Sequence, residues 1–240
     1  MSRTASRIPL AEPSQVDRAY SNIKTGIIEG RYPPGSPLSE VVLAREHGMS
    51  RTPVREGLAR LWQERYLERV AGHGYFVARV TVQSIHDTFA VRRLLEGAAA
   101  ASAAELGTPD EIEELRRLAV LPQTVASDTR RSRNEAPVEY RAAEEANVRF
   151  HMAIARAARN GLALELIERC LAQVDRFMSL GVHFGPFQEG ATDAHLAIVD
   201  AIARRDADGA RTRMEEHLDC GSRLMKDALL RGQLTAVGLE

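Results

Sequence analysis

Leu43-Ala44-Arg45-Glu46-His47-Gly48-Met49-Ser50-Arg51-Thr52-Pro53-Val54-Arg55-Glu56-Gly57-Leu58 holds a helix end, a tight turn and a second helix start in one short stretch. Gly48 stops the first helix, and Ser50 is placed to cap the second. Pro53 is tolerated in a first turn, where its missing N–H leaves no bond unmade. Val54, Leu58 and Leu61 then recur at i, i+4 and i+7, the buried face of an amphipathic helix. Arg51 and Arg55, four apart, share a different face, with Thr52 beside them. Their planar forks suit guanine O6/N7 or bidentate phosphate contacts. The hydroxyls of Ser50 and Thr52, with the open N–H groups of a helix start, suit phosphates. Two arginines alone would fit a solvated helix face equally well, so the flanking sequence has to decide.

Upstream, Ala19, Ile23 and Ile27, with Tyr20 and Ile28 adjacent, form one helical apolar stripe from Asp17 onward. Gly30 and Pro33-Pro34-Gly35 end it. A short helix extends from Ser39 to His47, with Ser39 as N-cap and Val42 and Leu43 expected inward. The third helix runs from about 50 to 65, and Trp62 flanks its buried stripe, placed to seal the junction with a hairpin. Downstream the period changes: residues 66–70, a Gly-rich turn at Ala71-Gly72-His73-Gly74, and residues 75–80 read as that single β-hairpin. No other strand is expected. Helix, turn, helix, helix, hairpin is the plan of a winged helix-turn-helix. In it the N-terminal residues of the recognition helix meet base edges. Glycines at the wing tip let it approach a DNA backbone or minor groove.

The block 43–58 closely resembles the GntR family of bacterial regulators, whose "LA…G(V)SRTPVREAL" pattern spans helix two and the recognition helix. Ile28-Glu29-Gly30-Arg31-Tyr32-Pro33-Pro34-Gly35 and Gly74-Tyr75-Phe76-Val77 match the family's neighbouring blocks, so the resemblance covers residues 17–80. It implies that Ser50, Arg51, Thr52 and Arg55 contact double-stranded operator DNA, with Gly72 and His73 at the wing tip. Gly57 stands where Ala is usual, a change worth roughly 1 kcal/mol of helix propensity. Val41 stands where some relatives carry a DNA-contacting Arg, so that contact is lost here.

Beyond Thr81 the chain reads as helices over about 82–105, 109–120, 137–158, 161–182, 189–204 and 207–231, with an Ala-rich run at 98–104 suited to close packing. Residues 122–135 and 183–188 read as loops, the second broken by Gly185-Pro186. This region, 84–230, resembles the FCD domain, the all-α ligand-binding domain of the FadR-like subfamily. The matching pieces are Val91-Arg92-Arg93-Leu94-Leu95-Glu96-Gly97, Asn147-Val148-Arg149-Phe150-His151, His195-Leu196-Ala197-Ile198, and 210–214 with Glu216-His217. Asn147 and His151, at i and i+4, converge on one helix face. His195 and His217 lie on later helices that an antiparallel bundle can bring to the same point. Three imidazoles and one oxygen donor suit a divalent ion such as zinc, nickel or manganese, with positions left open. Many relatives carry Asp where Asn147 stands. The neutral amide is a weaker donor and lowers the expected affinity. Arg92, on a helix that otherwise lines the core, needs an anionic partner. Glu96, four residues on, can be that partner, whereas in relatives the matching arginine holds an effector's carboxylate. A metal and an arginine in one pocket would grip a small organic acid from two sides. His47, His86 and His183 read as surface or loop residues.

The whole chain has 240 residues, 44% apolar and 27% charged, the size and balance of two soluble domains. The division expected is a disordered arm (1–16), a DNA-binding domain (17–80), an effector-binding and dimerisation domain (84–230) and a frayed tail (231–240). No apolar run reaches the roughly 20 residues of a membrane span, and the N-terminus has no apolar core like a secretory signal. Cys170 and Cys220 lack metal-like spacing and read as free thiols, which points to a cytoplasmic protein. Cys170 is expected in the core. Residues 1–80 hold 12 Lys and Arg against 8 Asp and Glu, and the rest hold 20 against 25. That is a basic head on an acidic body. No phosphate loop, nucleophile elbow or motif-placed general base argues for an enzyme. The expectation is a mainly α homodimer that binds a pseudo-palindromic operator and represses until an organic acid binds. A body that only dimerises or holds a structural metal is equally compatible with the residues.

Overall fold

The computed structural model describes residues 13–120, 138–180 and 191–230. It has two compact units, one of residues 1–27 with Arg31–Ala78, the other of Ile28–Gly30 with Arg79–Glu240.

The first unit contains α1 (Gln15–Ile28), β1 (Pro37–Leu38), α2 (Glu40–Glu46), α3 (Arg51–Gln63), β2 (Leu67–Val70) and β3 (Gly74–Val77). Helix α1 buries Ala19, Ile23 and Ile27, and α3 buries Val54, Leu58 and Leu61, the two stripes read from periodicity. They meet at Gly57, where a Cβ would lie 3.0 Å from the backbone nitrogen of Tyr20 and 3.4 Å from Ala19. The glycine thus exchanges helix propensity for direct contact between two helices. Ser39 caps α2 by accepting the Val42 amide.

Four expectations need correction. The hairpin gains a third strand: β1 pairs antiparallel with β3, in the order β1-β3-β2. Two residues, one of them a proline suited to a sheet edge, carry no alternation from which to read a strand. Val42 is 59% exposed, and Leu43 and Ala44 form the buried face of α2 instead. Trp62 is 43% exposed and seals nothing; the fully buried ring beyond α3 is Tyr66. Helix α1 begins at Gln15, inside the expected arm; residues 1–12 lie outside the described residues.

The second unit consists, among the described residues, of α4 (Val82–Leu106), α5 (Pro109–Ala119), α6 (Val138–Ala157), α7 (Gly161–Leu180), α8 (Ala191–Ala203) and α9 (Ala207–Leu230). Capping boxes at Thr81/Ser84 and Thr108/Glu111 set the starts of α4 and α5. Helix α4 is the axis of the bundle and packs on α6, α7, α8 and α9. Its alanines 99, 100, 101, 103 and 104 are buried, and these short side chains let so many neighbours come close. Helix ends that fall on described residues lie within two residues of those expected, and the expected ends at 137, 182, 189 and 231 lie outside the described residues. The loops 122–135 and 183–188 and the tail 231–240 fall outside the described residues. Cys170 is half-buried rather than core, and Cys220 is exposed; neither is in a disulfide. None of the described helices is long and apolar enough to cross a membrane.

Gly57→Val should cost about 1–3 kcal/mol, because added methyls must be accommodated against the α1 backbone. Urea unfolding of the full chain checks this; wild-type stability in the variant would contradict the close crossing.

Candidate functional site

Two sets of side chains carry the chemistry, one in each unit. In the first, Ser50 stands at the N-cap of α3 with extended backbone but makes no side-chain capping bond. Its hydroxyl is therefore not consumed by its own helix. Arg51, Thr52 and Arg55 are all exposed or near the surface, opposite the buried stripe. The arginines do not extend freely. Glu40, in the first turn of α2, accepts Arg55 Nε at 3.1 Å on both oxygens and Arg55 Nη2 at 3.0 Å. Arg51 Nη2 lies 3.7 Å from the same carboxylate. Hydrogen bonding to Glu40 and its charge raise the Arg55 pKa above the ordinary arginine value. Nothing in spacing reveals this partner, since Glu40 and Arg55 meet only when α2 folds over α3. The wing tip is the three-residue connection between β2 and β3. Gly72 and Gly74 adopt φ of +77° and +92°, the left-handed region that glycine enters without penalty. Gly72 and His73 are exposed. The His73 amide donates to Val70 O at 3.0 Å, which fixes the turn.

In the second unit, the bundle brings His151 (α6), His195 (α8) and His217 (α9) together. His195 Nε2 is 3.2 Å from His217 Nε2, which is 3.3 Å from His151 Nε2. All three ligand atoms lie within 4.8 Å of one another. Two nitrogens held at about 2.0–2.1 Å by one tetrahedral ion are roughly 3.3 Å apart, so the two short separations match a shared ion. Without one, the three nitrogens cannot all be satisfied, because each neutral ring carries its proton on one nitrogen only.

The rings are held by identifiable partners. His151 Nδ1 faces Glu96 Oε2 at 2.5 Å, both groups buried. That bond puts a proton on Nδ1 and turns Nε2 toward the cluster, the usual outer support of a ligating histidine. Phe150 stacks on His195, with centroids 4.0 Å apart and planes at 19°. His195 Nδ1 is buried with no hydrogen-bond partner among the described residues. Arg92 donates through Nε to Glu96 Oε1 at 2.6 Å, with Nη2 3.5 Å from Oε2, and both residues are buried. The internal pair open at the sequence level is therefore present. Burial works to raise the Glu96 pKa, but Arg92 and His151 outweigh it and hold the carboxyl at about 2. Burial, then His151 and Arg92, push His217 down to about 3. Burial, then His217, His151 and Arg92, push His195 well below the ordinary imidazole value. Both shifts favour the neutral imidazole, the form that ligates a metal. The residues present fit a first-row divalent ion, with the three Nε2 atoms as donors. Asn147 lies one turn before His151 on α6 and is half-buried; the three-ring cluster forms without it. Sequence reading missed Phe150 as a ring support and Arg176, a buried arginine of α7.

Depressed folded-state values have a definite sign. An unfolded histidine takes up a proton near pH 6.5, while folded His195 and His217 stay neutral. The stability they contribute is present above that pH and is lost as pH falls below it. Chelator-treated protein should lose melting temperature from about pH 7.5 to about 5.5, and lose less of it in His195→Phe. Equal losses in both would contradict the neutral cluster.

Comparison with known proteins places each unit in a family. Residues 15–77 match the model "Bacterial regulatory proteins, gntR family", and residues 87–219, more than half of the chain, match the FCD domain model. An uncharacterized HTH-type transcriptional regulator of Streptomyces ambofaciens is 31% identical over 200 residues, covering 83% of this chain and 80% of that protein. The HTH-type transcriptional repressor RspR of Escherichia coli K12 is 27% identical over 201 residues, with 83% of each covered. Among solved structures, a GntR regulator from Rhodococcus sp. RHA1 gives a TM-score of 0.65 at 22% identity, covering 89% of this chain and 98% of that one. E. coli McbR/YncC gives 0.63 at 23%, covering 90% and 98%. Both show the shared fold. These matches, on a recognition helix that exposes Arg51, Thr52 and Arg55, establish that the chain belongs to the GntR family of bacterial transcriptional regulators, with a C-terminal FCD domain.

Proposed function

We propose that this regulator is a repressor whose operator affinity is set by a small organic acid bound in the FCD domain beside a divalent metal. The observation that carries this reading is the convergence of three Nε2 atoms, on the buried rings of His151 and His195 and the half-buried ring of His217, with Arg92 joined to His151 through the shared carboxylate of Glu96. His151, His195 and His217 would hold the ion, and Asn147 is the candidate fourth donor. Such an ion, when bound, would supply Lewis acidity for an acid's oxygen. Arg92 meets the acid's carboxylate through the guanidinium edge that Glu96 leaves unused. Glu96 keeps its hold on His151 throughout, so the donor set stays aligned. Homodimerisation through the helical body presents two recognition helices to a two-fold operator. An acid regulates only to the extent that it binds the two DNA-affinity states differently.

In the head, Ser50 and Thr52 hold phosphates, Arg51 and Arg55 enter the major groove, and the tip at Gly72-His73 reaches the adjoining backbone. Arg51→Ala or Arg55→Ala should abolish preference for a duplex enriched from a random pool by the wild type, with the melting temperature unchanged. Wild-type affinity should fall steeply with added salt as phosphate contacts release counterions. Undiminished preference in both variants, or a flat salt titration, would refute the assignment.

Thermal-shift screening of dicarboxylic and hydroxy acids, with and without chelator, tests the pocket. Arg92→Ala is a poor control, because leaving Glu96 buried and short of its cation costs about 3–5 kcal/mol. Arg92→Lys keeps the charge and loses the fork. The expected result is an acid that raises the melting temperature and lowers operator affinity only with metal present, weakened at least tenfold in Arg92→Lys. An acid whose effect ignores both metal and Arg92 would contradict the two-sided grip. No effect of any acid would favour a body that only dimerises.

A further inference from the structure

Glu40 lies where a carboxylate should be unwelcome. It sits between the two arginines assigned to DNA and is 24% exposed at the side chain, against 61% for Arg51 and 58% for Arg55. A negative charge there opposes approach to phosphates. As a surface ion pair it contributes little to stability. Its geometry suggests a use. Both carboxylate oxygens engage one side of Arg55, through Nε and Nη2 at 3.0–3.1 Å. Arginine has five N–H donors in a fixed plane, so a side-on clamp leaves the outer edge, Nη1 with the second proton of Nη2, pointing away from Glu40. That edge is the fork that matches guanine O6 and N7. An unclamped arginine turns to whichever phosphate is nearest; a clamped one must break two charge-assisted bonds to do so.

We propose that Glu40 is a specificity-determining residue of the DNA interface: it holds Arg55 so that its outer edge is offered to a base pair, and its charge penalises phosphate-only binding. This is discrimination by making the wrong complex worse, not the right one tighter. Arg51, 3.7 Å from the same carboxylate, is held more loosely and keeps more freedom to follow the backbone. The proposal rests on the reading that Arg51 and Arg55 face DNA.

The test uses the full-length wild type, Glu40→Ala, Glu40→Gln and Arg55→Ala. Each is titrated by fluorescence anisotropy against a duplex enriched by the wild type from a random pool, and against a scrambled duplex of equal length, at one salt concentration. Enrichment is then repeated with Glu40→Ala. Glu40→Ala should keep its melting temperature and bind the scrambled duplex more tightly. The ratio of enriched to scrambled affinity should fall by about tenfold, the scale of one bidentate base contact. Its own enriched pool should lose a guanine preference at one position in each half-site. Glu40→Gln should shift the ratio in the same direction by less. An unchanged ratio with an unchanged enriched sequence, alongside loss of binding in Arg55→Ala, would overturn the role of Glu40 alone. Wild-type binding by Arg55→Ala would instead overturn the reading beneath it.

Discussion

A buried carboxylate must be matched or it unfolds what buries it, and Glu96 is matched twice. Left alone in the bundle, its charge would cost several kcal/mol. Arg92 one turn away on α4 and His151 on α6 together hold its pKa at about 2. The pairing fixes more than stability. The bond to His151 Nδ1 orients that ring, and the Nε2 it turns inward is the atom that meets His217. Because α4 also packs against α7, α8 and α9, one charge network on the central helix sets the frame in which three later helices deliver their histidines.

The same device recurs at the other functional surface. Glu40 holds Arg55 as Glu96 holds Arg92, in each case by a carboxylate on one side of a guanidinium. In both places the carboxylate orients the arginine and satisfies part of it. The difference is exposure. The Glu40 pair lies in water, where it adds little stability and its worth lies in selection. The Glu96 pair is dry, so removing either member is expensive. Under the proposed function, an acid at Arg92 would have to share the guanidinium with Glu96 rather than displace it.

Much of this was legible in the residues themselves. The stripe of Val54, Leu58 and Leu61 announced the helix and its buried side, and the spacing of Arg51 and Arg55 announced their exposed face. The histidines needed the family pattern, because positions 151, 195 and 217 share no local spacing; only the bundle brings them together. What stayed hidden was tertiary. Two-residue β1 exists because β3 offers it an edge. Val42 points outward because Leu43 and Ala44 already fill the space beneath α2. Glu40 shows no link to Arg55 until two helices cross, and Phe150 gives no sign of stacking on His195 until α6 and α8 pack.

The claim on which the account of the second unit turns is that the three Nε2 atoms form one metal site. X-ray absorption at the zinc edge, on chelated full-length protein reconstituted with zinc, reads this directly. The account predicts one zinc per chain, with nitrogen and oxygen neighbours at about 2.0–2.1 Å and the outer-shell scattering of three imidazoles. Failure to bind zinc stoichiometrically, or a bound ion without imidazole scattering, would contradict it.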